Sequence, residues 1–190
     1  MPTDKHKAIG VAAAQPASGS VSVETKSYIH APFFHLTFTL NKARIPVTDG
    51  AGSGSYGSLK LWDFVEGAIA IFGSRQNYTA FVEGSALTTG AGDAVHVLGV
   101  GSAAAATARD GTLTTTEQDI GAVTAQITNS GGTGVLNTKL TGALATPLDG
   151  TAAAKSLYLN WSGTAASIDA NSTIDVTGTI TVTGVLLSDD

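Results

Sequence analysis

Between Thr173 and Thr183 the chain alternates without a break in phase. Thr173, Asp175, Thr177, Thr179, Thr181 and Thr183 fall on one side of an extended strand, and Ile174, Val176, Ile180 and Val182 on the other. Side chains on a strand point to opposite faces in turn, whereas a helix repeats at 3.6 residues. A hydroxyl face backed by a β-branched aliphatic face at period two predicts a half-buried strand and excludes an amphipathic helix. Gly178 occupies the apolar row, where it offers nothing to bury, and so marks a bulge or a bend.

The same period recurs upstream. Phe34, Leu36, Phe38 and Leu40 share one face, with His35, Thr37, Thr39 and Asn41 on the other. Pro46 confines any continuation of that strand to an edge or an end. Further strands are predicted over Leu59–Phe64, Ala68–Ser74, Tyr78–Val82, Asp93–Val100 and Ala122–Thr128, and around Leu157, Leu159 and Trp161. Asp49–Ser58 and Asn129–Gly134 read as Gly-rich connections. Gly111–Ile120 reads two ways: Thr114 and Glu117 have capping-box spacing, which would open a short helix through Ile120, while the Thr run itself favours a strand. Ala103–Ala108 has room for one or two helical turns. About eight strands with no sustained helical period predict an all-β, antiparallel β-sandwich, jelly-roll-like, over residues 31–190. Residues 1–30 hold few large apolar side chains and read as an extended N-terminal arm.

Composition narrows the chemistry. A length of 190 residues suits one domain. The absence of Cys removes disulfides, Cys-ligated metal and a thiol nucleophile. Ten basic against fifteen acidic residues give a net charge of −5, which argues against a nucleic-acid partner. No apolar run reaches the roughly 18 residues needed to span a bilayer, so no membrane partner is expected. Lys5, His6 and Lys7 precede the Ala-rich stretch Ala8–Ala14, which is too short for an ordinary export signal and reads as a slightly basic arm.

The motifs that could carry catalysis are weak. Gly52, Gly54 and Gly57 match G-x-G-x-x-G as text but lead into a strand. Gly99, Gly101 and Ala104 follow a strand, yet the helix they could open is too short for a dinucleotide crossover, so they read as turn glycines. The four His show no ligand spacing, and no G-x-S-x-G elbow occurs. Trp62, Trp161, Tyr56, Tyr78 and Phe81 could form a stacking platform for sugars, but Trp62 and Trp161 sit in alternating runs and fit a core or subunit contacts better. The expectation is a non-enzymatic chain with no cofactor and no metal.

Four stretches in order carry a resemblance. Leu61-Trp62-Asp63-Phe64-Val65-Glu66-Gly67 runs into Ala68-Ile69-Ala70-Ile71. Thr116-Glu117-Gln118-Asp119-Ile120 sits mid-chain. Pro147-Leu148-Asp149-Gly150-Thr151 leads through Ala152–Lys155 into Ser156-Leu157-Tyr158-Leu159-Asn160-Trp161. Gly178-Thr179-Ile180-Thr181-Val182-Thr183-Gly184 follows. Over roughly residues 59–190 the chain resembles the capsid decoration, or cement, proteins of tailed bacteriophages. The resemblance implies a jelly-roll-like sandwich, a place on the capsid exterior of a virion, and the major capsid protein as partner. It implies no catalytic residues. A neck, tail or receptor-binding part of a phage, and a carbohydrate-binding jelly roll, remain as alternatives.

Within that reading the arm is the expected contact with the shell or a neighbouring copy. Val21, Val23, Tyr28 and Ile29 give it something to bury, and Lys5, Lys7 and Lys26 make it the basic segment of an acidic chain. Ala- and Thr-rich strands with few charges suit packing against copies of the same chain. A homo-oligomer is therefore expected, a homotrimer first and a dimer second.

Overall fold

In the computed structural model the described residues are 10–12, 22–30, 32–50, 54–83, 95–107, 111–122, 127–128, 133–134, 139–142, 146–164 and 171–188. They form twelve strands: β1 (Gly10–Ala12), β2 (Ser22–His30), β3 (Phe33–Asp49), β4 (Ser55–Phe64), β5 (Gly67–Glu83), β6 (Val95–Gly101), β7 (Ile127–Thr128), β8 (Thr133–Gly134), β9 (Lys139–Thr141), β10 (Leu148–Gly150), β11 (Ser156–Gly163) and β12 (Ser172–Ser188). All pair antiparallel in one sheet, with the central order β10-β5-β12-β3-β4-β11-β6-β7. Around that path β1 pairs β4, β2 pairs β3, and β8 and β9 pair β5. The fold is all-β and antiparallel, and the sheet curls into a half-barrel. Among the described residues the one helical element is a single 3-10 turn at Thr115–Glu117. It is shorter than the capping-box spacing predicts, and Ala103–Thr107 forms no helix.

β12 is central, and its inward row keeps one parity from Ile174 to Val182 with Gly178 as its one gap. Ile174, Val176, Ile180 and Val182 are all fully buried. It pairs with β3 from Ser172 to Val185 and with β5 from Ile174 to Ser188. At Gly178 the register shifts against both neighbours. The bulge expected from the sequence is therefore present, and its cause is close approach. A Cβ on Gly178 would lie 2.3 Å from the Asn77 carbonyl oxygen and 2.7 Å from Tyr78 Cα, and φ is +154°.

Bulges explain why β3 and β5 are longer than their alternation suggests. β3 buries Phe34, Leu36, Phe38 and Leu40, then Ala43, Ile45 and Val47. The inward row changes parity at Asn41-Lys42, two residues set against Thr177 of β12, with Lys42 at φ 50° and its N–H 3.3 Å from Thr177 Oγ1. Pro46 lies within the 17-residue strand. The outer edge of β3 pairs β2 over residues 33–41 and β4 over residues 47–49, and Pro46 falls between those ladders. A missing N–H costs no ladder bond there. β5 changes parity at Phe72, extra between Gly73 and Ile71 in the pairing with β12. Its inward residues then become Ser74, Gln76 and Tyr78, which is why the sequence pattern splits one 17-residue strand in two.

The curl brings the inward faces of β3 and β4 together, although the two strands share only the pairs Val47–Gly57, Thr48–Tyr56 and Asp49–Ser55. Phe34 meets Phe64 with ring centroids 5.6 Å apart, and Phe38 meets Trp62 edge-on at 6.4 Å. The same core takes in Leu157, Leu159 and Trp161 of β11 and Leu98 and Val100 of β6.

Residues 102–107 and 111–122 clasp this sheet. The clasp first covers the outer face of β11, where Asn160 is fully buried and makes four bonds. Asn160 Oδ1 accepts from Ser58 Oγ at 2.7 Å and from the Ala105 N–H at 2.9 Å, and Nδ2 donates to the carbonyls of Ala103 and Glu117 at 2.8 Å each. Ser102 donates to Asp119 through its N–H and its hydroxyl, and the Glu117 carboxylate accepts the Thr114 N–H at 2.6 Å. The clasp then passes the edge of β6, exchanging both bonds between Val100 and Gly121. On the inside it meets β5. The Ser74 hydroxyl donates to the Ile120 carbonyl at 2.6 Å, and Gln76 Nε2 donates to the Ala122 carbonyl at 2.9 Å. The Tyr78 hydroxyl donates to Gln76 Oε1 at 2.7 Å, and burial pushes its pKa far above the phenolic range, so it stays a donor.

Gly99 and Gly101 serve the clasp rather than a turn. A Cβ at Gly101 would lie 2.3 Å from the Glu117 carbonyl carbon, and one at Gly99 would lie 2.9 Å from Leu113 Cδ1. Both residues sit in strand β6, so the expectation of turn glycines is corrected. They let the clasp lie flat on the strand.

Two outcomes follow. Gly178→Ala should destabilise the fold by about 2 kcal/mol or more, through a positive φ and a backbone clash. Asn160→Ala should cost about 3 kcal/mol, since it strands buried backbone groups. Urea midpoints at unchanged m-value would measure both, and a midpoint equal to that of the parent chain would refute either.

Candidate interaction surface

Of the contact residues expected from the sequence, Lys5, Lys7 and Val21 lie outside the described residues. Val23, Lys26, Tyr28 and Ile29 all fall on β2, which pairs with β3 from Ser22–Asn41 to His30–Phe33 without a register shift. Val23 is half-buried and packs against the core, which accounts for an apolar residue in a polar stretch. Lys26 is exposed, with its ammonium 3.7 Å from the Glu24 carboxylate. Tyr28 stands opposite His35, and Ile29 opposite Phe34. The described parts of the arm are thus two strands added to the sheet, β1 on β4 and β2 on β3.

Next to β2 lies the outward face of β3, β12 and β5. It presents His35, Thr37 and Thr39 from β3, Thr179, Thr181 and Thr183 from β12, and Arg75 and Asn77 from β5. The His35 ring and the Thr37 hydroxyl are 3.2 Å apart, and Thr183 donates to the Gly73 carbonyl. At the far end Arg44 and Asp175 form a two-pronged pair at 2.8 and 2.9 Å. The carboxylate holds the guanidinium pKa above its ordinary value. Formal charge is sparse, and hydroxyls dominate.

One end of this face is apolar. Phe33, Phe72 and Leu187 are 56%, 49% and 54% exposed, and the two rings lie 6.2 Å apart. Sequence patterning missed this patch, although a signal was there. Phe33-Phe34, Ile71-Phe72 and Leu186-Leu187 are adjacent pairs within strands, and strand geometry turns one member of each pair outward. Phe34 and Ile71 are buried, and Leu186 packs against the core, so their neighbours face solvent. An exposed phenylalanine pair with a leucine on the same sheet face is a candidate contact surface.

A second polar cluster lies on β4 and β11. The Asp63 carboxylate accepts from Ser156 Oγ at 2.5 Å and pairs with Lys60 at 3.0 Å, and the Lys60 ammonium sits 5.9 Å from the centre of the Tyr158 ring. The Ser156 hydroxyl and then Lys60 draw the Asp63 pKa below the usual carboxylate value. The hydroxyl donates to a carboxylate that is itself held ionised, so the arrangement ties β4 and β11 together, and the lowered pKa makes the carboxylate a weak acceptor of the hydroxyl proton. Among the described residues no group of three His, Asp or Glu side chains could hold a metal, and no helix is long and apolar enough to cross a membrane.

The Asp63 cluster carries a pH dependence. A carboxyl whose folded pKa is lowered contributes stability above its unfolded pKa of about 3.9, and that contribution is lost as pH falls through the lower folded value. Asp63→Asn should therefore flatten the acid limb of stability below about pH 4 and leave the slope near pH 7 unchanged. Thermal melts from pH 2 to 7 would show it, and parallel acid limbs for the two chains would contradict it. Compared with known proteins, the chain matches no family model, no curated protein and no solved structure.

Proposed function

We propose that this chain is a virion structural protein that binds the outside of a tailed-bacteriophage capsid shell and stabilises it, as a decoration or cement protein made in the host cytoplasm. The observation that carries the reading is the Phe33–Phe72–Leu187 patch at the end of a hydroxyl-lined sheet face. An apolar centre with a polar, weakly charged surround suits a lasting contact with another protein. The ordered sequence resemblance supplies the identity of that partner, the major capsid protein. The face-to-face meeting of β3 and β4 supports reading the curled sheet as a jelly-roll-like sandwich. The role needs no catalysis and no cofactor, and it is performed by several copies acting together. Lys5, Lys7 and the remainder of the arm are assigned to the shell or to a neighbouring copy. An arm that orders on binding gives modest affinity per contact, and multiplying it over an oligomer makes it strong.

Co-sedimentation with purified shells of the cognate phage tests the role. The wild-type chain should saturate the shells at hundreds of copies per particle, and Phe33→Ser/Phe72→Ser should bind at least tenfold more weakly with an unchanged far-UV spectrum, since two aromatic anchors are lost. No binding by the wild-type chain, or saturation at about a dozen copies as at a neck or tail site, would overturn the proposal.

A further inference from the structure

Strand β2 ends the sheet on one side with an edge that is open among the described residues. Its inner edge pairs with β3 along all nine residues, and no described strand pairs with its outer edge. Exposed edges are ordinarily blunted by shortness, proline, a bulge or an uncompensated charge. β2 has none of these. It is nine residues long, contains no Pro, and runs in regular register. Its lysine, Lys26, is offset by Glu24 two positions earlier, and both side chains are about two-thirds exposed. An edge that is long, regular and neutral is built to be paired.

The charge order says with what. Two copies of β2 meeting antiparallel across a two-fold axis can be centred on any residue. Centred on Thr25, Glu24 of each copy stands directly opposite Lys26 of the other, so both charges are paired twice over. Centred on residue 24 or 26, like charges stand opposite each other, which is destabilising. We propose that β2 is a self-association edge, and that a second copy of this chain adds to it antiparallel with the two-fold axis at Thr25. The sheet then runs β12-β3-β2 into β2-β3-β12 of the second copy, an isologous contact that buries the open edge on both sides. This assigns the two-fold alternative rather than the three-fold one. It rests on β2 alone and not on the capsid reading, because it is measured on the isolated chain.

The test is a charge swap on the full-length protein, followed by sedimentation equilibrium. Lys26→Glu and Glu24→Lys each set like charges opposite one another twice per interface, and each should weaken the dimer about tenfold or more. Combining them as E24K/K26E restores opposite charges in the same register and should restore wild-type affinity. A loss that came only from an altered strand would not be rescued. A second variant fixes the register. The chain has no Cys, and Thr25 Oγ1 is buried without a hydrogen-bond partner, so Thr25→Cys removes no bond. Directly opposed residues on antiparallel strands lie within disulfide reach, so mild oxidation should link T25C into a covalent dimer, and Ser22→Cys should not link. A wild-type chain that is monomeric at about 100 μM or trimeric, a dimer indifferent to the single charge variants, or T25C that fails to link would each overturn the proposal.

Discussion

At Gly178 the central strand passes so close to β5 that no side chain fits between them, and the curl of the sheet follows from that approach. β12 shifts register there against both neighbours at once. Across the same level β3 inserts Asn41-Lys42 against Thr177. A bulge adds a residue to one side of a ladder, bends the strand and raises the local twist. Three 17-residue strands laid flat would expose a long hydrophobic face, whereas the bulges fold that face in on itself. Phe34 can then reach Phe64, and Phe38 can reach Trp62.

Curling leaves a gap that the clasp fills. Residues 102–107 and 111–122 have little regular structure, so their backbone groups need partners from elsewhere. Asn160 supplies three bonds from the outside of β11, and Ser74 and Gln76 supply two from the inside of β5. These are inward or covered positions where a period-two pattern calls for apolar residues. Burying a polar side chain is costly unless its bonds are made, so such residues persist where a loop is there to be held. Glycines at 99, 101 and 121 remove the side chains that would keep the loop off the strand.

The surface follows from the same geometry. Once the bulges set which parity of each strand points inward, the outward members of three apolar pairs are fixed, and the register brings two of them, Phe33 and Phe72, to within ring contact. The rest of that face is mostly threonine with sparse charge, which limits the repulsion that would oppose packing against another protein. Beside it, β2 extends the sheet by one strand and leaves a neutral edge. The apolar patch and the β2 edge occupy adjoining parts of one sheet, so the proposed partner and the proposed second copy would take different surfaces.

The all-β class was legible because period-two alternation is local. Ile174 to Thr183, and Phe34 to Asn41, declare their buried sides without reference to any other residue. Gly178 was legible as a bulge for the same reason, as a gap in an otherwise apolar row. The lengths of β3 and β5 were not legible, since a bulge resets parity and makes one strand look like two. The polar run Ser74–Tyr78 looked like an interruption because its partners, the carbonyls of Ile120 and Ala122, lie over forty residues away. The glycines of β6 looked like turn residues because the loop that presses on them is distant in sequence. The apolar patch lay half in view, as adjacent pairs of which one member had to face out, but only register could bring Phe33 and Phe72 together. Alternation along a strand is set by the backbone of that strand alone. Which strands meet, and what each outward side chain stands beside, is set by hydrogen bonds between residues far apart in the chain, and those exist only once the sheet has curled.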